Sequence, residues 1–139
     1  MKRLAILGAS GHGKVVADAA ELSGWNEVVF FDDAWPDCAV NSVWPLLGCA
    51  SDLLASLDEF SGVVVAIGDN AIRLEKLIML LEHNANLATV VHPQAVVSRY
   101  AKINAGSVVC AGVVVNADAR IGMGAILNTG CSVDHDCLL

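Results

Sequence analysis

Over the first ninety residues, short apolar runs alternate with segments whose apolar residues recur at helical spacing. Runs closed by glycine or aspartate predict buried strands, and the periodic segments predict helices. The predicted strands are residues 3–7, 28–31 and 62–67, and the predicted helices are residues 14–22, 51–57 (with Ser51 as N-cap) and 70–82. Residues 34–50, with two prolines and a glycine, predict irregular structure. This order predicts a small parallel sheet covered by helices.

The pattern changes at residue 91, where helical spacing disappears and a period of six begins. Divided into sixes from residue 97, the chain reads VSRYAK, INAGSV, VCAGVV, VNADAR, IGMGAI, LNTGCS and VDHDCL, followed by Leu139. The first position is always Val, Ile or Leu, the fifth is small or compact, and Gly or Asp often fills the fourth. Such a repeat is typical of a parallel β-helix.

The β-helix explains this spacing geometrically. Each hexapeptide supplies one flat face and one corner, and three faces close a coil of eighteen residues, whose first positions point inward. The first positions should then stack in ladders, two of which are Val97, Val115 and Val133, and Ile103, Ile121 and Leu139. An ordinary series of antiparallel strands does not require this register. We therefore predict two domains, residues 1–91 and residues 92–139.

The composition narrows the class of protein. The 139 residues are 55% hydrophobic with a net charge of −7, yet no run of about 18 apolar residues predicts a transmembrane helix. The acidic balance argues against nucleic-acid binding, which needs a basic surface. The apolar N-terminal stretch is too short for a signal peptide, because Gly8 interrupts it. Five cysteines without a CxxC pair indicate neither a disulfide framework nor a zinc ribbon, so we expect a cytoplasmic protein that binds no metal.

A glycine-rich loop, GASGHGK at residues 8–14, joins the first predicted strand to the first predicted helix. Glycines let a backbone approach a ligand, and a helix N-terminus attracts phosphate. A Walker A loop is disfavoured by Val15, which stands where Ser or Thr would bind Mg²⁺, and the second glycine is one place late for the dinucleotide motif GxGxxG. Two interpretations remain: another phosphate-bearing ligand, such as a nucleotide sugar, or a tight turn alone. Asp32 and Asp33, after the second strand, suit a ribose or uracil edge.

The tripeptide Asp134-His135-Asp136 is the second candidate for chemistry. His135 occupies a third position of the repeat, beside a corner and facing solvent, where it can titrate near neutral pH. A carboxylate bonded to one imidazole nitrogen would orient the ring and leave the other nitrogen as a general base. Which aspartate does so stays open. The alternatives are a polar surface corner and a metal site, which adjacent positions make geometrically poor.

Taken together, these motifs resemble the NeuD/PglD-type bacterial sugar acyltransferases. The resemblance covers the whole chain and rests on the GASGHGK loop, the paired aspartates, AIGDN at residues 66–70, His92-Pro93 and the stretch NTGCSVDHD at residues 128–136. It is strongest to the branch that N-acetylates the 4-amino group of a UDP-4-amino-sugar of the bacillosamine type in glycan synthesis. The resemblance implies a small Rossmann-like α/β domain followed by a left-handed parallel β-helix, a homotrimer, and acetyl-CoA as acetyl donor.

The resemblance also implies roles for single residues. His135 would be the general base, Asp136 would increase its basicity, and Asn128 would lie near the reacting centre. The residues that would contact the UDP-sugar are Ser10, Gly11, His12, Asp32, Asp33 and Gly68. The implied mechanism is direct transfer, in which His135 takes a proton from the sugar amine as it attacks the thioester.

The chain departs from the family pattern in two ways. Some members carry Glu where Asp136 stands, which is conservative. The chain also stops at Leu139, the first residue of a hexapeptide, whereas further coils of the family carry most acetyl-CoA contacts. We therefore expect an incomplete β-helix that keeps the sugar-nucleotide site and the base. Two alternatives to the N-acetyltransferase stay open: an O-acetyltransferase of sialic acid, and a UDP-sugar-binding fragment without catalysis.

Overall fold

The computed structural model describes all residues from 1 to 139. Its first part is a five-stranded sheet of order β3-β4-β2-β1-β5, in which every pairing is parallel except that of β3 with β4. Its strands are β1 (Arg3–Leu7), β2 (Glu27–Phe31), β3 (Val40–Asn41), β4 (Trp44–Gly48) and β5 (Gly62–Val65). Its helices are α1 (Gly11–Leu22), α2 (Ala50–Ala55) and α3 (Asn70–Glu82), with a 3-10 turn at Leu57–Glu59. The predicted α/β architecture is confirmed.

Alternation along the strands divides the sheet into two buried faces. Leu4 and Ile6 of β1 belong to a core that also holds the inner face of helix α1. Ala5 and Leu7 point the other way, into a core shared with helices α2 and α3. Because successive side chains of a strand alternate between faces, a parallel sheet covered on both sides needs apolar residues at every position.

Three details of the predicted secondary structure are wrong. Residues 34–50 contain strands β3 and β4, and β4 extends the sheet beside β2. The sequence did not predict β4 because it contains Pro45, and proline usually argues against a strand. Helix α1 begins at Gly11 rather than at residue 14, inside the glycine-rich loop. Helix α2 begins after Cys49 rather than Ser51, because the Asp52 carboxylate accepts the Cys49 backbone N–H at 2.8 Å.

The remaining strands form a parallel β-helix. They are β6 (Val90–Val91), β7 (Val96–Val97), β8 (Lys102–Ile103), β9 (Val108–Val109), β10 (Val114–Val115), β11 (Arg120–Ile121), β12 (Ile126–Leu127) and β13 (Ser132–Val133). They stack in three small sheets, β12-β9-β6, β13-β10-β7 and β11-β8. Val97 pairs with Val115, and Val115 with Val133, so the predicted register of eighteen residues is confirmed.

The corners of the β-helix explain the fourth position of the repeat. Six of the seven fourth positions have a positive φ, between 60° and 80°. They are Gly106, Gly112, Asp118, Gly124, Gly130 and Asp136. Glycine adopts this left-handed conformation without strain, and aspartate tolerates it better than most residues. The predicted turn at this position is therefore correct.

The two parts of the chain pack against each other. Helix α1 contacts strand β6, and Leu77 of helix α3 lies against the corner glycines Gly106 and Gly124. Strand β6 already pairs with β9, and one buried cluster runs from Leu4 to Val133. The division after residue 91 stays a prediction. No helix of the structure combines the length and the apolar character needed to cross a membrane.

Truncating the β-helix interior should destabilise the chain. Ile121 is fully buried and pairs in register with Ile103, so Ile121→Ala leaves a cavity between stacked coils. The free energy of unfolding, measured by urea denaturation, should fall by about 2–4 kcal/mol. The neighbouring Arg120 is exposed and serves as the control, since Arg120→Ala should change this energy by only about 0.5 kcal/mol. Equal losses in both variants would contradict the stacked interior.

Candidate active site

Three loops meet at the carboxyl edge of the α/β sheet. They follow the adjacent strands β2, β1 and β5 and carry, respectively, the paired aspartates, the glycine-rich loop and Gly68. Parallel α/β sheets bind ligands at this edge. A cavity of about 280 Å³ lies there, and its lining includes Gly8, Asp32, Asp33 and Lys76. The sequence analysis did not identify Lys76.

The two aspartates differ in what their carboxylates do. Asp32 uses both oxygens inside the chain: Oδ2 accepts the Ala9 N–H at 2.8 Å and Oδ1 accepts the Ala34 N–H at 2.9 Å. Asp33 accepts only the Ala50 N–H through Oδ1, at 3.1 Å. Asp32 therefore ties the glycine-rich loop to the end of β2, whereas the second oxygen of Asp33 makes no hydrogen bond within the chain.

Two glycines of this region are required by the fold. Gly8 has a φ of +112°, and a Cβ there would lie 2.7 Å from the Ala66 carbonyl oxygen. A Cβ on Gly13 would lie 2.7 Å from the Gly8 carbonyl oxygen and 2.8 Å from the Phe30 ring. For these two positions the tight-turn interpretation is sufficient, because the chain itself excludes any side chain.

Gly11 and Gly68 are different. A Cβ on either would meet no atom within 4 Å, and neither has a positive φ. Every other glycine of the chain has a positive φ or a neighbour that a Cβ would touch. The fold therefore gives no reason for glycine at these two positions, both of which the sequence analysis placed in contact with a nucleotide sugar.

His12 lies in the first turn of helix α1 and is half-buried rather than a free loop side chain. Its Nε2 is buried and has no hydrogen-bond partner within the chain. Burial and, to a smaller extent, the positive charge of Arg73 lower the pKa of His12. The Ser10 side chain does not cap this helix, and the first turn contains no acidic residue. The positive end of the helix therefore stays available to an anion.

Two residues that hold these loops were missed by the sequence analysis. Asn41 is buried and donates through Nδ2 to the Ser10 carbonyl at 3.2 Å. Nothing in the sequence predicts this bond, which joins residues 31 positions apart in a segment interpreted as irregular. Arg73 donates to the carbonyls of Ile67 and Gly68 at 3.0 and 3.1 Å. The sequence could have pointed to Arg73, because the helix dipole disfavours a positive charge near a helix N-terminus.

His135 and Asp136 form a pair at an exposed corner after β13. His135 Nδ1 lies 2.9 Å from Asp136 Oδ2, and both side chains are largely exposed. The hydrogen bond with Asp136 is the main reason that the pKa of His135 is raised, the charge of Asp136 adds to it, and that of Asp134 contributes least. The carboxylate left open by the sequence is therefore Asp136, which can only accept a hydrogen bond when ionised. Nδ1 then carries the proton, and Nε2 faces outward as the basic nitrogen.

The predicted site residues fall into separate groups within one chain. Asp136 borders a second, larger cavity of about 660 Å³, which also contains Tyr100, Lys102 and Arg120. This cavity shares no lining residue with the one at the sheet edge. Asn128 is exposed, and its side chain makes no hydrogen bond within the chain. The structure thus brings together the glycine-rich loop and the aspartates, and separately His135 and Asp136.

Comparisons with solved structures confirm the fold. The acetyltransferase domain of PglB from Neisseria gonorrhoeae, in complex with acetyl coenzyme A, is 41% identical, with a TM-score of 0.91 over 99% of this chain and 66% of that chain. PerB from Caulobacter crescentus, in complex with CoA and GDP-perosamine, is 34% identical, with a TM-score of 0.91 over 99% of this chain and 65% of that chain. The structural relatives therefore bind the predicted donor or its product, CoA.

Sequence comparisons point to the same group of proteins. UDP-N-acetylbacillosamine N-acetyltransferase from Bacillus subtilis is 32% identical over 121 residues, which are 80% of this chain. The chain spans about half (52%) of the length of this curated relative. The model of the PglD N-terminal domain matches residues 3–80, more than half of the chain. The protein with the open glycines at its sheet edge therefore belongs to the PglD N-terminal domain family.

Proposed function

We propose that this chain is the sugar-nucleotide-binding and base-bearing part of an acetyl-CoA-dependent N-acetyltransferase. Its acceptor is the 4-amino group of a UDP-4-amino-sugar. The curated Bacillus relative is named as an N-acetyltransferase of UDP-N-acetylbacillosamine, and the gonococcal structure contains acetyl coenzyme A. The nucleotide sugar binds at the carboxyl edge of the sheet, and His135 supplies the base.

The observation that carries the proposal is the pair of open glycines. Gly11 and Gly68 leave space that no atom of the chain fills. Gly68 directly follows Ile67, which lines the sheet-edge cavity together with Lys76 and with Asp33, whose second carboxylate oxygen makes no hydrogen bond within the chain. A diphosphate at the N-terminus of helix α1 and a ribose or uracil at Asp33 match this arrangement of charge. The unpartnered Nε2 of His12 offers a further polar contact.

The chemistry follows from the tautomer of His135. With Nδ1–H bonded to Asp136, the lone pair of Nε2 can take a proton from the sugar amine as its nitrogen attacks the thioester carbonyl. A C–N bond forms and the C–S bond breaks. The proton passes from the amine to His135 and then to the departing sulfur. The raised pKa makes His135 a stronger base, and direct transfer needs no covalent enzyme intermediate.

Two observations favour second candidates. The Caulobacter relative binds GDP-perosamine, so a GDP-linked amino sugar is the alternative acceptor. The cavity beside Asp136 shares no lining residue with the one at the sheet edge, which favours a sugar-nucleotide-binding part without turnover of its own. Calorimetric titration of the chain with UDP, GDP, ATP, NAD and acetyl-CoA separates these possibilities. We expect UDP to bind; binding of ATP or NAD without UDP would overturn the proposal, and binding of GDP alone would reassign the acceptor.

The glycines of the loop provide a matched pair of variants. Gly11→Ala should keep or slightly raise the free energy of unfolding, because alanine favours the helix and meets no atom. It should weaken UDP binding about tenfold, or about 1.4 kcal/mol, because the methyl group fills the space of the ligand. Gly13→Ala should instead lower the free energy of unfolding by about 1–3 kcal/mol, because its methyl group collides with Phe30.

Calorimetry with UDP and urea denaturation measure the two effects. The contrast between the variants is the test. If both glycines served only the turn, Gly11→Ala and Gly13→Ala would both lower the free energy of unfolding. Unchanged UDP affinity in the Gly11 variant would remove that glycine from the ligand site. Gly68→Ala repeats the experiment at the second open glycine.

The pair of His135 and Asp136 predicts a shift in pH dependence. Asp136→Asn should lower the pKa of His135, because it removes the main cause of its elevation. The base acts in its neutral form, so the acidic limb of the rate profile should move to lower pH while the neutral ring becomes a weaker base. NMR titration of the His135 ring measures the pKa in the chain itself. Asp134→Asn is the control, since Asp134 is the smallest contributor; equal shifts in both variants would contradict the assigned pair.

Turnover provides the direct test of the base. In the full-length enzyme, His135→Ala should reduce acetylation of the sugar amine by a factor of about 10²–10⁴, with UDP affinity unchanged. The control is Asp134→Asn, which should keep most of the turnover. Wild-type turnover in the His135 variant would exclude that residue as the base.

A homotrimer completes the proposal. Val96 and Val114 stand in register on the outer face of sheet β13-β10-β7, and both are exposed. Adjacent exposed valines provide an apolar surface that association would cover. Light scattering should give the mass of three chains of 14.5 kDa each, and Val96→Glu should lower it. A monomer at all concentrations would contradict this assignment.

A further inference from the structure

Arg73 occupies an electrostatically unfavourable place. It lies four residues after Asp69, the N-cap of helix α3, close to the positive end of the helix. A cation there needs compensation from other groups. The Arg73 guanidinium obtains this compensation from four hydrogen bonds to three parts of the chain.

Two of these bonds hold the loop between β5 and α3, and a third holds the first residue of α3. Nη1 donates to the carbonyl oxygens of Ile67 at 3.0 Å and Gly68 at 3.1 Å, and Nη2 donates to the Asn70 side-chain oxygen at 2.7 Å. The loop therefore closes around the guanidinium, and Gly68 is one of its anchor points. The charge of Arg73 also contributes, after burial, to the lowered pKa of His12 in the first turn of helix α1.

The fourth bond leaves the α/β part. Nε of Arg73 donates to the carbonyl oxygen of Gly124 at 2.9 Å, at a corner of the β-helix. It is the only side-chain hydrogen bond between residues 1–83 and residues 90–139. One side chain thus connects the loop of Gly68 to the coils that carry His135.

We propose that Arg73 is a positioning residue, which fixes the loop of Gly68 and holds the α/β part in one orientation on the β-helix. The inference rests on the proposed function, because it gives that orientation a purpose. The nucleotide end of the acceptor lies at the sheet edge, while the base stands on the β-helix. Direct transfer tolerates little misplacement between bound groups, so a polar connection between the two parts contributes to it.

Arginine suits this position better than lysine. Its planar guanidinium carries five N–H donors in fixed directions, which is how it reaches four acceptors at once. A lysine ammonium keeps the charge but cannot hold the loop and the β-helix corner together. Arg73→Lys therefore tests geometry separately from charge, and Arg73→Gln removes both.

The test compares orientation and ligand binding in the same samples. Backbone residual dipolar couplings of the wild-type chain should fit one alignment tensor for residues 3–82 and residues 90–133. In Arg73→Gln and Arg73→Lys the two parts should require different tensors, and the calorimetric Kd for UDP should rise about tenfold. Leu77→Val is the matched control: Leu77 packs on the same corners without a hydrogen bond, so it should keep one tensor and a Kd within about twofold of the wild type.

Each outcome bears on one of the two proposals. One common tensor in the Arg73 variants overturns the positioning role, whatever their UDP affinity. The role is also overturned if the two tensors of Leu77→Val differ as much as those of the Arg73 variants, because packing would then set the orientation. If the wild-type chain binds no UDP, the proposed function fails, and the tensor comparison still decides the role of Arg73. If Arg73→Gln does not fold, Arg73→Lys is judged by the same criteria.

Discussion

Burial of aliphatic side chains in one continuous core is the interaction on which the rest of the structure depends. The core begins at Leu4 and Ile6 of the sheet, passes through Val16 of helix α1 and continues along the β-helix to Val133. A sheet of five short strands buries little apolar surface by itself. A β-helix coil made of two-residue strands buries even less. Sharing one core lets each part supply a wall for the other. The glycine-rich loop lies at one margin of this core, against which its residue Ala9 packs.

Polar contacts then hold the loops that the apolar core leaves free. Asp32 binds the Ala9 and Ala34 amides, Asn41 binds the Ser10 carbonyl, and Arg73 binds the Ile67 and Gly68 carbonyls. Each contact joins a side chain to backbone, which suits the proposed contact of a nucleotide sugar with the loop backbone. Held in this way, the loops can keep an open space without collapsing into it. Such pre-organisation lowers the entropy that a ligand must remove on binding.

Much of this architecture could be predicted from the sequence, because it depends on periodicity. The register of eighteen residues follows from Val97, Val115 and Val133, and the corners follow from Gly or Asp at the fourth position. What escaped prediction depends on contacts between distant segments. Strand β4 pairs with β2 despite Pro45. No periodic pattern in the sequence predicts the bond from Asn41 to Ser10. The choice of Asp136 over Asp134 required the hydrogen bond between His135 Nδ1 and Asp136 Oδ2, which the sequence pattern does not specify.

The separation of the two cavities changes how the proposed chemistry must be understood. The sheet edge offers charge and space for a nucleotide, but burial lowers the pKa of its histidine, His12, which makes that ring a weaker base. The β-helix corner offers His135 with its partner Asp136, but no glycine-rich phosphate site. Neither part is sufficient for the proposed acetyl transfer to a nucleotide sugar. The proposed function therefore depends on the relation between them, to which the contact of Arg73 with Gly124 contributes.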